Sequence, residues 1–189
     1  MAKKIGVLAL QGGFASHARM IEAVGGSVVY IRQPSDFAGC QGIVLPGGES
    51  TAITWLLRKQ GLFAPLLQAC SYLPVLATCA GLILLGREGT DARVNQMRLL
   101  DIAVKRNGYG AQVDSFTQQV SLCNGCEIPG VFIRAPKITA LGEGVEVIGT
   151  VDQEPVLVQQ GLVIAATFHP ELTNDTTIHK RFFALCANH

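Results

Sequence analysis

The sequence predicts an α/β fold of three layers, with a mostly parallel open sheet between helices on both faces. In the first half, short apolar segments rich in β-branched residues are interpreted as buried strands, at residues 5–10, 28–31, 43–45 and 75–77. Amphipathic helical patterns separate these segments, at residues 16–24, 51–60 and 63–71. Strands that are apolar on both faces and alternate with helices are typical of a parallel sheet covered on both sides.

The second half predicts a mixed or antiparallel extension of this sheet. Turn residues separate six short strand candidates, at residues 99–104, 113–116, 130–134, 145–150, 156–160 and 162–166. A closing helix is predicted over residues 176–187. We see no linker, repeat or low-complexity stretch, so we interpret residues 1–189 as one domain, in keeping with ordinary domain sizes.

Composition narrows the class of function. Hydrophobic residues make up 49% of the chain, charged residues 15%, and the formal net charge is +1. This balance argues against nucleic-acid binding through a basic patch. The first apolar segment is too short for a signal peptide and is interrupted at Gln11, and no stretch is long enough to cross a membrane. We therefore expect a cytoplasmic protein whose six cysteines are reduced.

Cys79 is the first candidate for chemistry. It lies where a buried strand ends at Thr78 and a helix pattern begins. A nucleophile on such a sharp turn needs small neighbours because the backbone is crowded, and Ala77, Ala80 and Gly81 are small. The N–H of Ala80 would then face the oxyanion of an acyl-transfer reaction. The alternative is a buried structural cysteine.

His169 and Glu171 follow the last predicted strand. A cysteine nucleophile needs a base to accept its proton, and a carboxylate to hold that imidazole in the right tautomer. On an extended backbone, residues two positions apart point the same way, which would bring these side chains together. A lone histidine is usually structural, but its combination with Cys79 favours catalysis.

The loop Gly47-Gly48-Glu49 joins a buried strand to a helix. Its glycines allow a backbone N–H, that of Gly47, to face the reaction site as a second oxyanion donor. Glu49 would open the helix and attract a substrate ammonium group. The alternative is a plain turn with Ser50 as the helix N-cap. A phosphate-binding loop is disfavoured because the lysine of that motif is missing.

In sequence order, seven segments resemble the class I glutamine amidotransferases, at residues 6–12, 45–51, 78–82, 106–107, 112–116, 131–136 and 168–172. The cysteine turn and the His-Pro-Glu segment are shared across that class. The Pro-Gly-Gly-Glu-Ser-Thr and Phe-Ile-Arg-Ala-Pro segments resemble the branch that serves pyridoxal 5′-phosphate synthesis. The resemblance implies a flavodoxin-like sheet and covers nearly the whole chain.

The resemblance also implies roles for residues. Cys79 would be the nucleophile, His169 the base and Glu171 its orienting carboxylate. Glutamine would bind at Gly47, Gly48, Glu49, Arg106, Ile133 and Arg134, with Gln11 supporting the oxyanion site. The planar fork of an arginine such as Arg106 suits a substrate carboxylate. The sequence leaves open whether Arg134 binds through its side chain or its backbone.

The resemblance implies partners as well. The substrate would be L-glutamine, and the ammonia would pass to a synthase subunit that makes pyridoxal 5′-phosphate, within a large hetero-oligomer. No metal or organic cofactor is required, and neither nucleic acid nor membrane is expected as a partner. The chain departs from the usual family pattern at Ala77, which replaces a glycine, and within residues 107–112, where Ala111 replaces a basic residue expected at partner contacts.

Other reactive residues have simpler interpretations. Cys123 and Cys126 form a CxxC pair in a turn-rich stretch without further zinc ligands, so loop packing is favoured over metal or redox chemistry. His17, His179 and His189 are predicted to lie on the surface.

Three alternatives to the glutaminase of the pyridoxal phosphate branch stay open. The first is a glutaminase subunit of another biosynthetic synthase. The second is a non-catalytic interaction subunit with the same fold. The third is a hydrolase or chaperone of the same α/β type.

Overall fold

A nine-stranded mixed sheet organises the protein in the computed structural model, which describes residues 2–89, 91–108 and 115–187. The strands are β1 Lys4–Leu8, β2 Ser27–Ile31, β3 Gly42–Leu45, β4 Val75–Thr78, β5 Gly86–Gly89, β6 Leu100–Lys105, β7 Ser115–Leu122, β8 Glu127–Ile133, β9 Lys137–Leu141, β10 Glu146–Val151, β11 Glu154–Gln160 and β12 Val163–Ala166. The order in the large sheet is β2-β1-β3-β4-β12-β11-β10-β7-β8.

The helices occupy the positions that the sequence predicts between these strands. They are α1 Phe14–Ala23, α2 Ser50–Lys59, α3 Phe63–Cys70, α4 Ala80–Leu85 and α5 Thr177–Leu185. Short 3₁₀ helices cover Pro34–Phe37 and Pro170–Leu172. No helix in the described ranges is long and apolar enough to cross a membrane.

Strands β2, β1, β3, β4 and β12 are parallel, and both faces of the sheet are buried along β1, β3, β4 and β12. Along β3, Val44 packs in one core cluster while its neighbours Ile43 and Leu45 pack in another. The first cluster includes residues of α1 and α5, and the second includes residues of α2 and α3. This alternation confirms the predicted three-layer α/β fold.

The predicted antiparallel extension is also present. Strands β11, β10, β7 and β8 continue the large sheet beyond β12 with antiparallel pairing. A separate three-stranded sheet, in the order β5-β6-β9, contains one parallel and one antiparallel pair. The sequence did not predict β5 or β9, which are short and carry several exposed residues.

Some strand boundaries differ from the prediction. The first strand ends at Leu8 rather than Leu10, because the chain bends there into the loop that borders the site described below. Strand β7 runs to Leu122, well past the predicted segment 113–116, of which residues 113 and 114 lie outside the described ranges. Ala111 and His189 lie outside them as well.

Candidate active site

Cys79 stands on a strained turn between β4 and α4. Its backbone has φ 48° and ψ −103°, in a region that residues with a side chain rarely adopt. The turn brings α4 close to β3. As a result, a Cβ on Gly81 would lie only 2.2 Å from the carbonyl oxygen of Leu45. The predicted requirement for small neighbours therefore has a direct steric cause at Gly81. Cys79 itself is only 7% exposed.

Strand pairing carries the last strand to the same edge as Cys79. Ala166 at the end of β12 pairs with Thr78 at the end of β4, and the N–H of Cys79 donates to the carbonyl of Ala166 at 2.9 Å. The chain continues to His169, whose N–H donates to the carbonyl of Val131 at 2.8 Å. This bond to β8 fixes the backbone that presents the imidazole.

His169 and Glu171 form a buried pair. The Nδ1 atom of His169 lies 2.8 Å from Oε1 of Glu171, and Glu171 is 1% exposed. The expected extended segment between them is instead a 3₁₀ turn over Pro170–Leu172. The side chains therefore meet through a turn, and the reasoning from an extended backbone was wrong on that detail.

The charges of this pair support one another. Burial alone would lower the pKa of His169, but its hydrogen bonds and charge interactions with Cys79 and Glu171 raise it to about 10. Burial alone would raise the pKa of Glu171, but the nearby ring of His17, together with the hydrogen bond and charge of His169, lowers it. The ring of His169 is therefore held as an imidazolium between the carboxylate of Glu171 and the sulfur of Cys79.

The Gly47-Gly48 loop presses against the reactive side chains. A Cβ on Gly47 would lie 2.3 Å from Cε1 of His169 and 3.2 Å from Cβ of Cys79. A Cβ on Gly48 would lie 2.4 Å from Oε1 of Gln11. Glycine is required at Gly47, because the imidazole and Cys79 leave no room for a side chain, whereas a side chain at Gly48 would displace the end of Gln11.

Hydrogen bonds tie this loop to its neighbours. The N–H of Gly47 donates to Oγ1 of Thr78 at 3.1 Å, and its carbonyl accepts from the N–H of Gly13 at 3.2 Å. The N–H of Glu49 donates to Oε1 of Gln11 at 2.7 Å. Gln11 therefore braces the loop from the first strand-to-helix connection, and the Gly47 N–H is engaged by Thr78.

Glu49 opens α2, as the sequence predicts. Its carboxylate accepts from the N–H of Ala52 at 2.8 Å, so Glu49 is the helix N-cap and the alternative cap at Ser50 was wrong. The same carboxylate forms an ion pair with Arg106, whose Nη2 atom lies 2.7 Å from Oε1. Arg106 also contacts the carboxylate of Asp91, which in turn pairs with Arg93.

These residues enclose a cleft of about 330 Å³. The predicted site residues that line it are Gln11, Gly47, Gly48, Glu49, Cys79, Arg106, Ile133, Arg134, His169 and Glu171. Ala80 is buried beside Cys79 and is not part of the lining. Arg134 is exposed and has φ 42°, so the backbone after β8 is strained where it meets the cleft.

Sequence reasoning missed further lining residues: Gly12, Gly13, Ser50, Ile83, Asn107 and Leu172. Each lies within four residues of a predicted site residue, and that proximity was the available signal. Gly13 has a specific reason to be small, because a Cβ there would lie 3.0 Å from Oε1 of Glu171.

The prediction that His17 and His179 lie on the surface was wrong. Both are 0% exposed, and Nδ1 of His17 lies 3.0 Å from Nε2 of His179. His17 occupies the inner face of α1, four residues before the buried Ile21. That helical spacing was a signal for burial.

Cys123 and Cys126 are exposed, free thiols in the turn between β7 and β8. Within residues 2–89, 91–108 and 115–187, the structure contains no group of three or more potential metal-ligating His, Cys, Asp or Glu side chains.

The open sheet and the site together define a class of protein, the glutamine amidotransferases. Residues 7–188 match the SNO glutamine amidotransferase family, and the chain belongs to that family. A crystal structure of a glutamine amidotransferase superposes with a TM-score of 0.89 at 40% identity, covering 97% of this chain and 98% of the other. A putative GMP synthase component of Thermoplasma acidophilum shares the fold, with a TM-score of 0.71 at 17% identity, covering 100% of this chain and 96% of the other.

Similar sequences have a more specific name. A protein of Francisella philomiragia named pyridoxal 5′-phosphate synthase subunit PdxT is 44% identical, over 96% of this chain and 98% of its own length. The protein of the same name from Streptococcus pneumoniae is 44% identical, over 97% of both chains.

Proposed function

We propose that this chain hydrolyses L-glutamine to L-glutamate and ammonia, and that it does so as the glutaminase subunit of a pyridoxal 5′-phosphate synthase. The full-length similarity to proteins of that name supports the assignment. The observation that carries the chemistry is the His169–Glu171 pair, 2.8 Å apart, beside a cysteine on a strained turn.

The thiol proton of Cys79 passes to His169, and the sulfur attacks the amide carbon of glutamine. His169, whose raised pKa keeps it protonated near neutral pH, donates its proton to the departing nitrogen. The C–N bond breaks, ammonia leaves, and a γ-glutamyl thioester remains on Cys79. His169 then accepts a proton from water, the resulting hydroxide attacks the thioester, and the C–S bond breaks to release glutamate. Glu171 holds the imidazole throughout.

The oxyanion formed in each step needs hydrogen-bond donors. Ala80 begins α4, and its N–H has no acceptor within that helix, which suits this role. The N–H of Gly47 is the second donor in our proposal, and it must leave Thr78 to act. Gln11 supports the site by holding the N–H of Glu49.

Glutamine is proposed to bind in the cleft with its α-carboxylate on Arg106. The guanidinium already binds the carboxylate of Glu49, so its fork is suited to that group. Gly47, Gly48, Ile133 and Arg134 contribute the remaining walls. Glu49 is placed to meet the ammonium group of the substrate once Arg106 holds the carboxylate.

The released ammonia is proposed to pass to a synthase subunit in a large hetero-oligomer, because free ammonia would be lost to solvent. A net charge of +1 supports a partner other than nucleic acid. The proposed setting is the cytoplasm, where cysteines are kept reduced.

Ammonia release from glutamine, measured with and without the synthase partner, tests the proposal. We expect release by the wild type in the complex, none from Cys79→Ala, and unchanged release from Cys123→Ala, which removes an exposed thiol remote from the cleft. Equal release by Cys79→Ala would contradict the assignment. Normal release with no acceptance of ammonia by that synthase would favour a glutaminase of another pathway.

A further inference from the structure

A buried polar cluster lies behind the His169–Glu171 pair, and its two histidines have no part in the proposed mechanism. His17 on α1 and His179 on α5 are fully buried, as is Thr78 at the end of β4. Nε2 of His17 lies 3.1 Å from Oγ1 of Thr78 and 3.3 Å from Oε2 of Glu171. Nδ1 of His17 lies 3.0 Å from Nε2 of His179.

The protonation states and tautomers of His17 and His179 follow from their burial and their neighbours. Burial lowers the pKa of His17, and burial lowers the pKa of His179 to about 3, so both rings are neutral near pH 7. A lone pair on Nε2 of His17 would repel the carboxylate of Glu171, so the proton of His17 is on Nε2. Its Nδ1 then accepts from the Nε2–H of His179.

The single N–H of His17 serves two neighbours. Its hydrogen bond to Thr78 Oγ1 is 3.1 Å long, whereas Oε2 of Glu171 has no hydrogen-bond partner within the described part of the chain. At 3.3 Å, the Nε2–H of His17 nevertheless lies beside that oxygen and supplies positive partial charge to it. Thr78 Oγ1 also accepts the N–H of Gly47. One imidazole therefore contacts both the orienting carboxylate and the hydroxyl that holds the oxyanion loop.

We propose that His17, held in place by His179, is a positioning residue that fixes Glu171 against His169. This inference rests on the proposed glutaminase function. The groups that face His17 are Glu171 and His169 after β12, His179 on α5 and the Thr78 hydroxyl. All of them are in the network already described.

The test compares His17→Leu, which removes the N–H, with His17→Gln, which can place an amide N–H near the position of Nε2. Met20→Ala is the control, because Met20 is buried on the same helix but does not line the cleft. Ammonia release by each variant in the synthase complex is measured from pH 5 to pH 10. In parallel, alkylation of Cys79 by iodoacetamide is followed over the same range in a Cys123→Ser/Cys126→Ser background.

For His17→Leu we expect kcat to fall about tenfold with KM within about twofold, as for loss of one hydrogen bond between neutral groups beside the carboxylate. The acid limb of the rate profile and the alkylation profile should both move to higher pH. His17→Gln should recover most of kcat, and Met20→Ala should lower only the unfolding midpoint.

A folded His17→Leu variant with wild-type profiles in both assays would overturn the proposal. So would a His17→Gln variant as impaired as His17→Leu. If Cys79→Ala releases as much ammonia as wild type, the glutaminase function fails instead. In that case, the pH dependence of Cys79 alkylation in His17→Leu still shows whether His17 positions the His169–Glu171 pair.

Discussion

Nδ1 of His169 lies 2.8 Å from Oε1 of Glu171, although a single proline separates the two residues and the chain turns sharply between them. Oε2 of Glu171 lies 3.3 Å from Nε2 of His17, and Gly13 leaves no room for a side chain beside Oε1, so the carboxylate has little freedom to leave the imidazole. Orientation of the base is thus a property of the fold itself, built from α1 and the segment after β12.

Glu171→Gln should lower kcat for ammonia release by about 10²- to 10⁴-fold, because an amide can present its NH₂ group and stabilise the wrong tautomer of His169. KM should change little, since Glu171 contacts the base rather than the bound glutamine in our mechanism. Steady-state kinetics of the complex check this. A kcat within about threefold of wild type would show that the carboxylate does not orient the base.

Gly47→Ala should abolish most activity, because the added methyl would lie 2.3 Å from Cε1 of His169. Overpacking of this kind costs about 1–3 kcal/mol of folding stability and displaces the imidazole. Gly61→Ala is a matched control. The added methyl group would meet no atom within 4 Å, but an alanine at the φ of 65° found at this position would be strained. The control should lose stability in urea unfolding and keep its activity. Full activity in Gly47→Ala would mean that the loop is free to move away.

Arg106→Lys should raise KM for glutamine about ten- to hundredfold while kcat changes little, because a lysine cannot bind a carboxylate with a planar fork. Arg93→Lys is the control, since Arg93 pairs with the same Asp91 but is 76% exposed and does not line the cleft. If KM rose equally in Arg106→Lys and Arg93→Lys, the cause would be the lost ion pair with Asp91 and not a lost contact with the substrate.

Acid should destabilise the fold through His179. Its pKa is lowered to about 3 by burial, so below the ordinary value of 6.5 the unfolded chain binds a proton that the folded chain does not. The free energy of unfolding should therefore fall between pH 6.5 and pH 3, by up to about 1.4 kcal/mol per pH unit for this group. Urea unfolding at several pH values should show a shallower fall in His179→Leu. Parallel curves for both proteins would contradict this origin.

The parallel half of the sheet was predictable because its strands are apolar on both faces, as along Gly42–Leu45. Strand β7 was predicted only at its start, since Gln118 and Gln119 interrupt any apolar pattern and pairing with β8 stabilises it instead. Tertiary contacts of this kind leave no local signature in the sequence.

The reactive residues were predictable because chemistry restricts their types and spacing. The pair of buried histidines was not predicted, because a histidine on a helix is polar and its partners lie far away in sequence. His17 meets His179 across 162 positions, and Thr78 across 61. Only the folded sheet brings these groups together.

The most direct test of the proposed mechanism is to identify the covalent intermediate. The complex is acid-quenched during turnover of glutamine, and its peptides are mapped by mass spectrometry. We predict a γ-glutamyl group on the peptide that contains Cys79 and none in Cys79→Ala. A γ-glutamyl group on another cysteine, or undiminished turnover without any adduct on Cys79, would contradict the mechanism.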